Sequence, residues 1–291
     1  MPVELDALVL PAFEDLDPLP SAGEVGPWRD AYDLTERTDV PGVAAPLRRD
    51  GAGLGVVPTG IGKTAAATTT AALCADDAVD LSDALVLSVG IAGAPPDLPI
   101  GSVVIADEIV DWDDKCRFDP DDGPAGADAD AGDDADAEDV PIAPDPYTEG
   151  RGVVDLEPDL VSDAVESAAG VDLASVEEAP EPAVTVGTNV CADELWHGRT
   201  VADHVSWLLE ALDRGPYRAT EMEDAGTAAA LRRFGLADRY LSVRGISNHD
   251  RPEPGESSRE SFETSLTEAG LETGLANAVR VARAVVDDRR A

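Results

Sequence analysis

Four polar residues in a row, Ser247-Asn248-His249-Asp250, close the apolar run Tyr240–Ile246. Bunched at the C-terminal end of a buried strand, such groups mark a site, because open α/β sheets bind ligands at that end. His249 on its own also fits an ordinary loop cap. A second set, Glu221-Met222-Glu223-Asp224-Ala225-Gly226-Thr227, leads into a run of small residues. Acids at a helix start complement the macrodipole, but a methionine between two glutamates is an unusual way to enter a helix. Two glycine-bearing segments, Gly60-Ile61-Gly62-Lys63 and Gly90-Ile91-Ala92-Gly93, each follow an apolar run and are expected as turns at neighbouring strand ends. A glycine backbone approaches a ligand closely, and a helix N-terminus favours an anion or a polar oxygen.

Gly60-Ile61-Gly62-Lys63-Thr64, with Val103-Val104-Ile105-Ala106-Asp107-Glu108 further on, mimics the two Walker motifs of a phosphate-loop ATPase. The spacing fails. A Walker A loop needs a glycine five positions before its Gly-Lys pair, and Val57 stands there. The loop is also too short to wrap a phosphate with successive N–H groups.

The elements that must carry these residues are legible as short apolar runs. Ala7–Leu10, Gly55–Val57, Ala84–Val89 and Val103–Ala106 read as strands buried on both faces. Lys63–Leu73, almost all Ala and Thr, reads as a helix packed closely on them, which satisfies βαβ logic. In the second half, Val184–Val186 and Tyr240–Ile246 read as strands. Val201, Val205, Leu208, Leu209 and Leu212 stripe one helix, and Leu275, Ala278, Val279, Ala282, Val285 and Val286 stripe a closing one. Between them, residues 111–150 are acidic, low in complexity and poor in large apolar side chains, so an extended surface insertion is expected.

The chain has 291 residues, with 21 Lys+Arg against 60 Asp+Glu and a formal net charge of -39. Its basic residues are too few to face a phosphate polyanion, which argues against a nucleic-acid partner. No stretch approaches the roughly 20 apolar residues of a bilayer crossing, and Met1–Asp6 shows no secretory pattern, so a soluble, cytoplasmic protein is expected. Lysine occurs only at Lys63 and Lys115. Acid spread along the whole chain reads as halophilic adaptation, since molar salt shortens the Debye length to about 3 Å and screens carboxylate repulsion. Cys74, Cys116 and Cys191 lack CxxC spacing, which argues against a disulfide framework or a zinc site.

Taken in order, Gly60-Ile61-Gly62-Lys63, Ser88-Val89-Gly90-Ile91-Ala92-Gly93, Gly101-Ser102-Val103-Val104, Met222-Glu223 and Ser247-Asn248 resemble the nucleoside phosphorylase and nucleosidase superfamily. Within it, Trp196-His197-Gly198, Glu221–Thr227 and Ser247–Asp250 look most like the purine nucleoside permease family. The resemblance runs from about the first strand to the last helix. It implies one α/β domain over residues 1–291, a three-layer sandwich around a twisted, largely parallel mixed sheet of the nucleoside phosphorylase type, interrupted by the insertion. It also implies a purine nucleoside ligand and a homo-oligomer, with no metal or organic cofactor. The family name implies nucleoside transport; the superfamily implies cleavage of the N-glycosidic bond.

By that resemblance, Glu223 holds the ribose 2′-hydroxyl, Met222 forms an apolar floor, and Gly60, Ile91, Ala92, Gly93 and Ser247 line the ligand. Trp196 either stacks on the base or belongs to the core. The superfamily commonly has Asp where this chain has Asn248. An amide donates to purine N7 but delivers no proton, so Asp250 is the candidate acid if the loop turns it inward. Phosphorylases carry Arg and Ser at the places of Ser88 and Ile91, so a phosphate clamp is missing here. Hydrolysis is therefore favoured, with inorganic phosphate as the alternative co-substrate. Ala12-Phe13-Glu14 looks similar to the nucleosidase element that orients water, which makes Glu14 the candidate base. A non-catalytic nucleoside-binding protein supporting transport stays open as the alternative.

Overall fold

The computed structural model describes residues 2–14, 23–119, 141–148, 151–177 and 179–291. The first half contains β1 (Val3–Glu4), β2 (Ala7–Leu10), α1 (Gly26–Ala31), β3 (Glu36–Thr38), β4 (Leu47–Arg49), β5 (Leu54–Val56), α2 (Lys63–Ala75), β6 (Val79–Asp80), β7 (Leu85–Ala94) and β8 (Val103–Asp111). An antiparallel pair of β9 (Lys115–Arg117) and β10 (Ile142–Pro144) follows, then β11 (Val153–Asp155) and α3 (Pro158–Ala168). The second half contains β12 (Val184–Cys191), α4 (Arg199–Ala211), β13 (Tyr217–Glu221), α5 (Asp224–Phe234), β14 (Tyr240–His249), α6 (Ser258–Ser265) and α7 (Glu268–Arg289).

The fold is mixed α/β around one large mixed sheet of order β11-β8-β12-β13-β7-β2-β5-β4-β3, with β14 paired to both β7 and β8. That double pairing corrects the expected three-layer sandwich: β8, β12, β13, β7 and β14 close into a five-stranded ring. Parallel and antiparallel pairings both occur in the sheet. The β2–β5, β2–β7, β7–β14, β8–β12 and β12–β13 pairs are parallel. The β3–β4, β4–β5, β7–β13, β8–β14 and β8–β11 pairs are antiparallel. An apolar run buried on both faces looks the same in an open parallel sheet and in a ring wrapped by helices, so the sequence pattern does not distinguish them. Closure uses register shifts between Gly187 and Asn189 in β12 and between Ile246 and Asn248 in β14, irregularities that bend strands.

The expected turn Gly90-Ile91-Ala92-Gly93 is instead the distal half of β7. Glycine stands at position 90 for close approach, since a Cβ there would lie 2.9 Å from Glu24 Cδ and 3.0 Å from Arg244. The segment Gly60–Gly62 is a turn as expected, and Gly62, at φ +92°, enters α2 through a conformation that favours glycine.

The main core runs through β2, β7 and β14, the last two packed against α7, with Leu8, Val9, Val86, Leu87, Val243, Val279, Ala282 and Val286 buried. A second core gathers Trp112, Ile142, Val190, Trp196, Val205, Leu208 and Tyr217 beneath α4. Trp112 and Ile142 fall inside the expected insertion, 111–150, whose flanks are therefore structural: Asp111 ends β8 and the β9–β10 pair follows. Removing each of those side chains from water contributes about 2 kcal/mol, which holds the flanks in place. Residues 120–140 and 149–150 of that expectation lie outside the described residues. No helix among the described residues is long and apolar enough to cross a membrane.

Candidate functional site

The ends of β7, β13 and β14 and the segment after β12 surround a cavity lined by Gly93, Glu194, Leu195, Trp196, Thr220, Glu221, Met222, Asn248, Asp250, Phe262 and Leu266. Gly93, Trp196, Met222, Asn248 and Asp250, all singled out in the sequence, are thus brought together. Trp196 is buried and meets Tyr217 edge-on, with ring centroids 6.3 Å apart. Its indole N–H has no partner among the described residues.

Glu223 follows the cavity-lining Met222 in sequence and is not itself among the lining residues. It is buried, and its Oε1 accepts from the Gly62 amide at 3.1 Å. Burial pushes its carboxyl above the usual range against the pull of Arg244. The expected helix entry is found: Glu223 stands at the N-cap of α5, which begins at Asp224. Glu221 ends β13, and its Oε2 accepts from the amides of Glu223 at 2.7 Å and Asp224 at 3.0 Å. It therefore satisfies free N–H groups at the start of α5. At position 226 α5 touches the N-terminus of α2, where a Cβ would lie 2.9 Å from the Lys63 carbonyl carbon. Only glycine permits that approach.

Arg244 is the residue sequence reasoning missed. It sits in mid-β14, 2% exposed, and its guanidinium reaches Glu221 at 2.8 Å, Glu223 at 3.4 Å, Ser88 Oγ at 2.7 Å and, closer still, Asp224. Asp224 also accepts from Tyr240 at 2.9 Å, Asn189 at 2.6 Å and Ser242. Burial raises the Asp224 carboxyl, but Arg244 and these donors outweigh it and hold it below its ordinary value. An arginine inside an otherwise apolar run was the available signal, since a fully buried cation requires carboxylate partners.

Glu24 is the second missed residue. Its amide donates to Phe13 O at 3.2 Å, which brings the chain back over the end of β2. Its carboxylate accepts from the amides of Ala12 at 2.6 Å and Ile91 at 2.9 Å. It is 1% exposed, and burial pushes its carboxyl up to about 7, with Arg244 opposing and Glu223 reinforcing the rise. Burial likewise pushes Glu221 up to about 8. One guanidinium thus faces four buried carboxyls, so the cluster holds protons near neutral pH.

Other expected residues have narrower settings. The Glu14 carboxylate is held by Arg29 and, at 2.8 Å, by Arg48; it is half-buried, and neither it nor Glu24 is among the residues that line the cavity. Asp250 is buried at the cavity and accepts from Tyr217 Oη at 2.6 Å and Arg251 Nε at 2.6 Å. Ser247 Oγ lies 3.2 Å from Ala92 O and 2.9 Å from Asn248 Oδ1, two acceptors for its single proton, while Asn248 Nδ2 donates to His249 O at 3.0 Å and keeps a second N–H. Gly60 N donates to Ala12 O at 2.8 Å and ties the first turn to β2. His249 Nε2 lies 3.1 Å from Leu98 O, outside the cavity lining.

This architecture is that of nucleosidase structures. The chain is similar to the 5′-methylthioadenosine/S-adenosylhomocysteine nucleosidase of Neisseria meningitidis solved with methylthio-immucillin-A (TM-score 0.63, 20% identity, covering 97% of this chain and 98% of that one). It is similar to the futalosine hydrolase of Helicobacter pylori (TM-score 0.62, 19% identity, 97% of each chain). It is also similar to the adenine-bound nucleosidase of Colwellia psychrerythraea (TM-score 0.63, 20% identity, 98% and 96%). The purine nucleoside permease (NUP) family model matches residues 5–289, and the chain belongs to that family. No curated protein matches it.

Proposed function

We propose that this protein hydrolyses the N-glycosidic bond of a purine nucleoside. Solved structures similar to this chain include a 5′-methylthioadenosine/S-adenosylhomocysteine nucleosidase and a futalosine hydrolase, which supports this reading, and the residues here supply the parts that the reaction needs. Breaking C1′–N9 develops positive charge on the ribose and negative charge on the base. Glu223, beside Gly62, accepts a ribose hydroxyl hydrogen bond that strengthens as the sugar becomes cationic. Met222 floors the sugar, and Trp196, Leu195 and Phe262 offer an apolar slot for the base. The free N–H of Asn248 donates to purine N7. Water activated by Glu24 bonds to C1′ and gives its proton to that carboxylate, while the base departs with the C1′–N9 electron pair.

The observation that carries hydrolysis over phosphorolysis is the seat of Glu24. Its carboxylate already takes the Ala12 and Ile91 amides that an incoming anion would use. The guanidinium of Arg244 is engaged by Glu221, Glu223 and Asp224, of which Asp224 is held below its ordinary value and carries the countercharge. A phosphate would meet a carboxylate instead of a cation. The test is release of free base from adenosine, guanosine and inosine in molar KCl, with and without phosphate. Release without phosphate supports the proposal, and release only with phosphate refutes it. Binding without release would favour a transport-associated binding protein, a reading that Asn248 in place of an acid also suits.

A further inference from the structure

Both lysines of the chain come to one place. The Lys63 ammonium lies 2.5 Å from Asp111 Oδ1 and 2.6 Å from Asp113 Oδ2. The Lys115 ammonium lies 3.8 Å from the other oxygen of Asp113 and 3.6 Å from the centroid of the Trp112 ring. The network continues through the backbone. The Lys63 amide donates to Asp193 Oδ1 at 2.8 Å, and the Asp193 amide donates to Asp113 Oδ2 at 2.8 Å, which closes a ring. Trp112 Nε1 donates to Glu194 Oε2 at 3.3 Å. Asp193 and Glu194 therefore turn their carboxylates to this cluster, while the next two residues, Leu195 and Trp196, line the cavity. The adjoining Gly62 amide holds Glu223.

We propose that Lys63, seconded by Lys115, is a positioning residue through which the root of the acidic insertion, Asp111–Lys115, sets the Trp196 wall against Glu223. This rests on the cavity being a purine nucleoside site. The choice of side chain fits the task, because an ammonium is a compact charge able to sit between two carboxylates, whereas a guanidinium presents a rigid fork. Burial lowers the Lys63 ammonium, but hydrogen bonds with Asp111 and Asp113 more than restore it, so its charge is secure. Burial brings Lys115 down to about 8, which makes it the weaker member.

The test uses Lys63→Met and, as a variant that leaves α2 intact, Asp113→Asn. Deuterium exchange over residues 192–198 is expected to quicken about tenfold in both, with β14 unchanged. Nucleoside KM is expected to rise about tenfold with kcat within about twofold, the pattern of a loosened binding wall. Unchanged exchange at 192–198 in a folded variant overturns the proposal, and so does a fall in kcat at constant KM. If the wild type cleaves no nucleoside, the functional reading fails, and the exchange result still decides whether the brace exists.

Discussion

Replacing Glu24 with Gln probes the cluster where its physics is most exposed. The carboxyl is pushed from 4.5 to about 7, chiefly by burial. Between those values the folded chain keeps a proton that the unfolded chain releases, so stability falls as pH rises across that window. At about 1.4 kcal/mol per pH unit the interval is worth about 3 kcal/mol. Glutamine cannot ionise, so Glu24→Gln should lose this share of the decline between pH 4.5 and 7 and keep the share due to Glu221 and Glu223, measured by urea unfolding at several pH values. Catalysis carries the opposite sign. Water activation needs the ionised form, so wild-type kcat/KM for base release should fall below about pH 7, and Glu24→Gln should lose about 10²–10⁴-fold. A variant that keeps more than a tenth of wild-type turnover, or a wild type with no acid limb, refutes the assignment of Glu24 as base.

Arg244→Met should cost about 3–5 kcal/mol in unfolding free energy, because it strands Glu221, Glu223 and Asp224 in the interior. Gly226→Ala should destabilise by about 2 kcal/mol or more, seen as a lowered Tm, since its methyl meets the Lys63 backbone. Added phosphate should leave initial rates of base release unchanged. Asn248→Asp supplies a proton near N7 and should raise the adenosine-to-inosine ratio of kcat/KM by about tenfold or more in a chromatographic assay.

The parts of the site that lie next to one another in sequence were legible. Gly62-Lys63, Met222-Glu223 and Ser247-Asn248 each occupy a turn or strand end where local residue types reveal the geometry. Glu24 was not, because among 60 acidic residues nothing local marks the one that is buried. Its burial comes from the return of the chain to Phe13 O, a tertiary event without periodicity. The strand β13 was missed for a related reason: its Tyr217–Glu221 stretch is short, and its acid reads as a helix start. The runs Ala84–Val89 and Tyr240–Ile246 announced strands, but the bends that close them into a ring depend on register shifts that hydrophobic pattern does not encode.

Ring closure also has a consequence for how the chain is made. Its strands come from distant stretches: Val86 pairs with Tyr240, and Val104 pairs with Arg244. During synthesis the ring stays open until β14 has emerged, and Asp224 waits with it for its guanidinium. Folding dominated by such distant pairings is slow. The fragment ending before β14 would leave the flanks of β7 and β8 unpaired, edges of the kind that invite association with other chains. The strand that carries the site's one buried cation is thus also the strand that ends the nascent chain's vulnerable period.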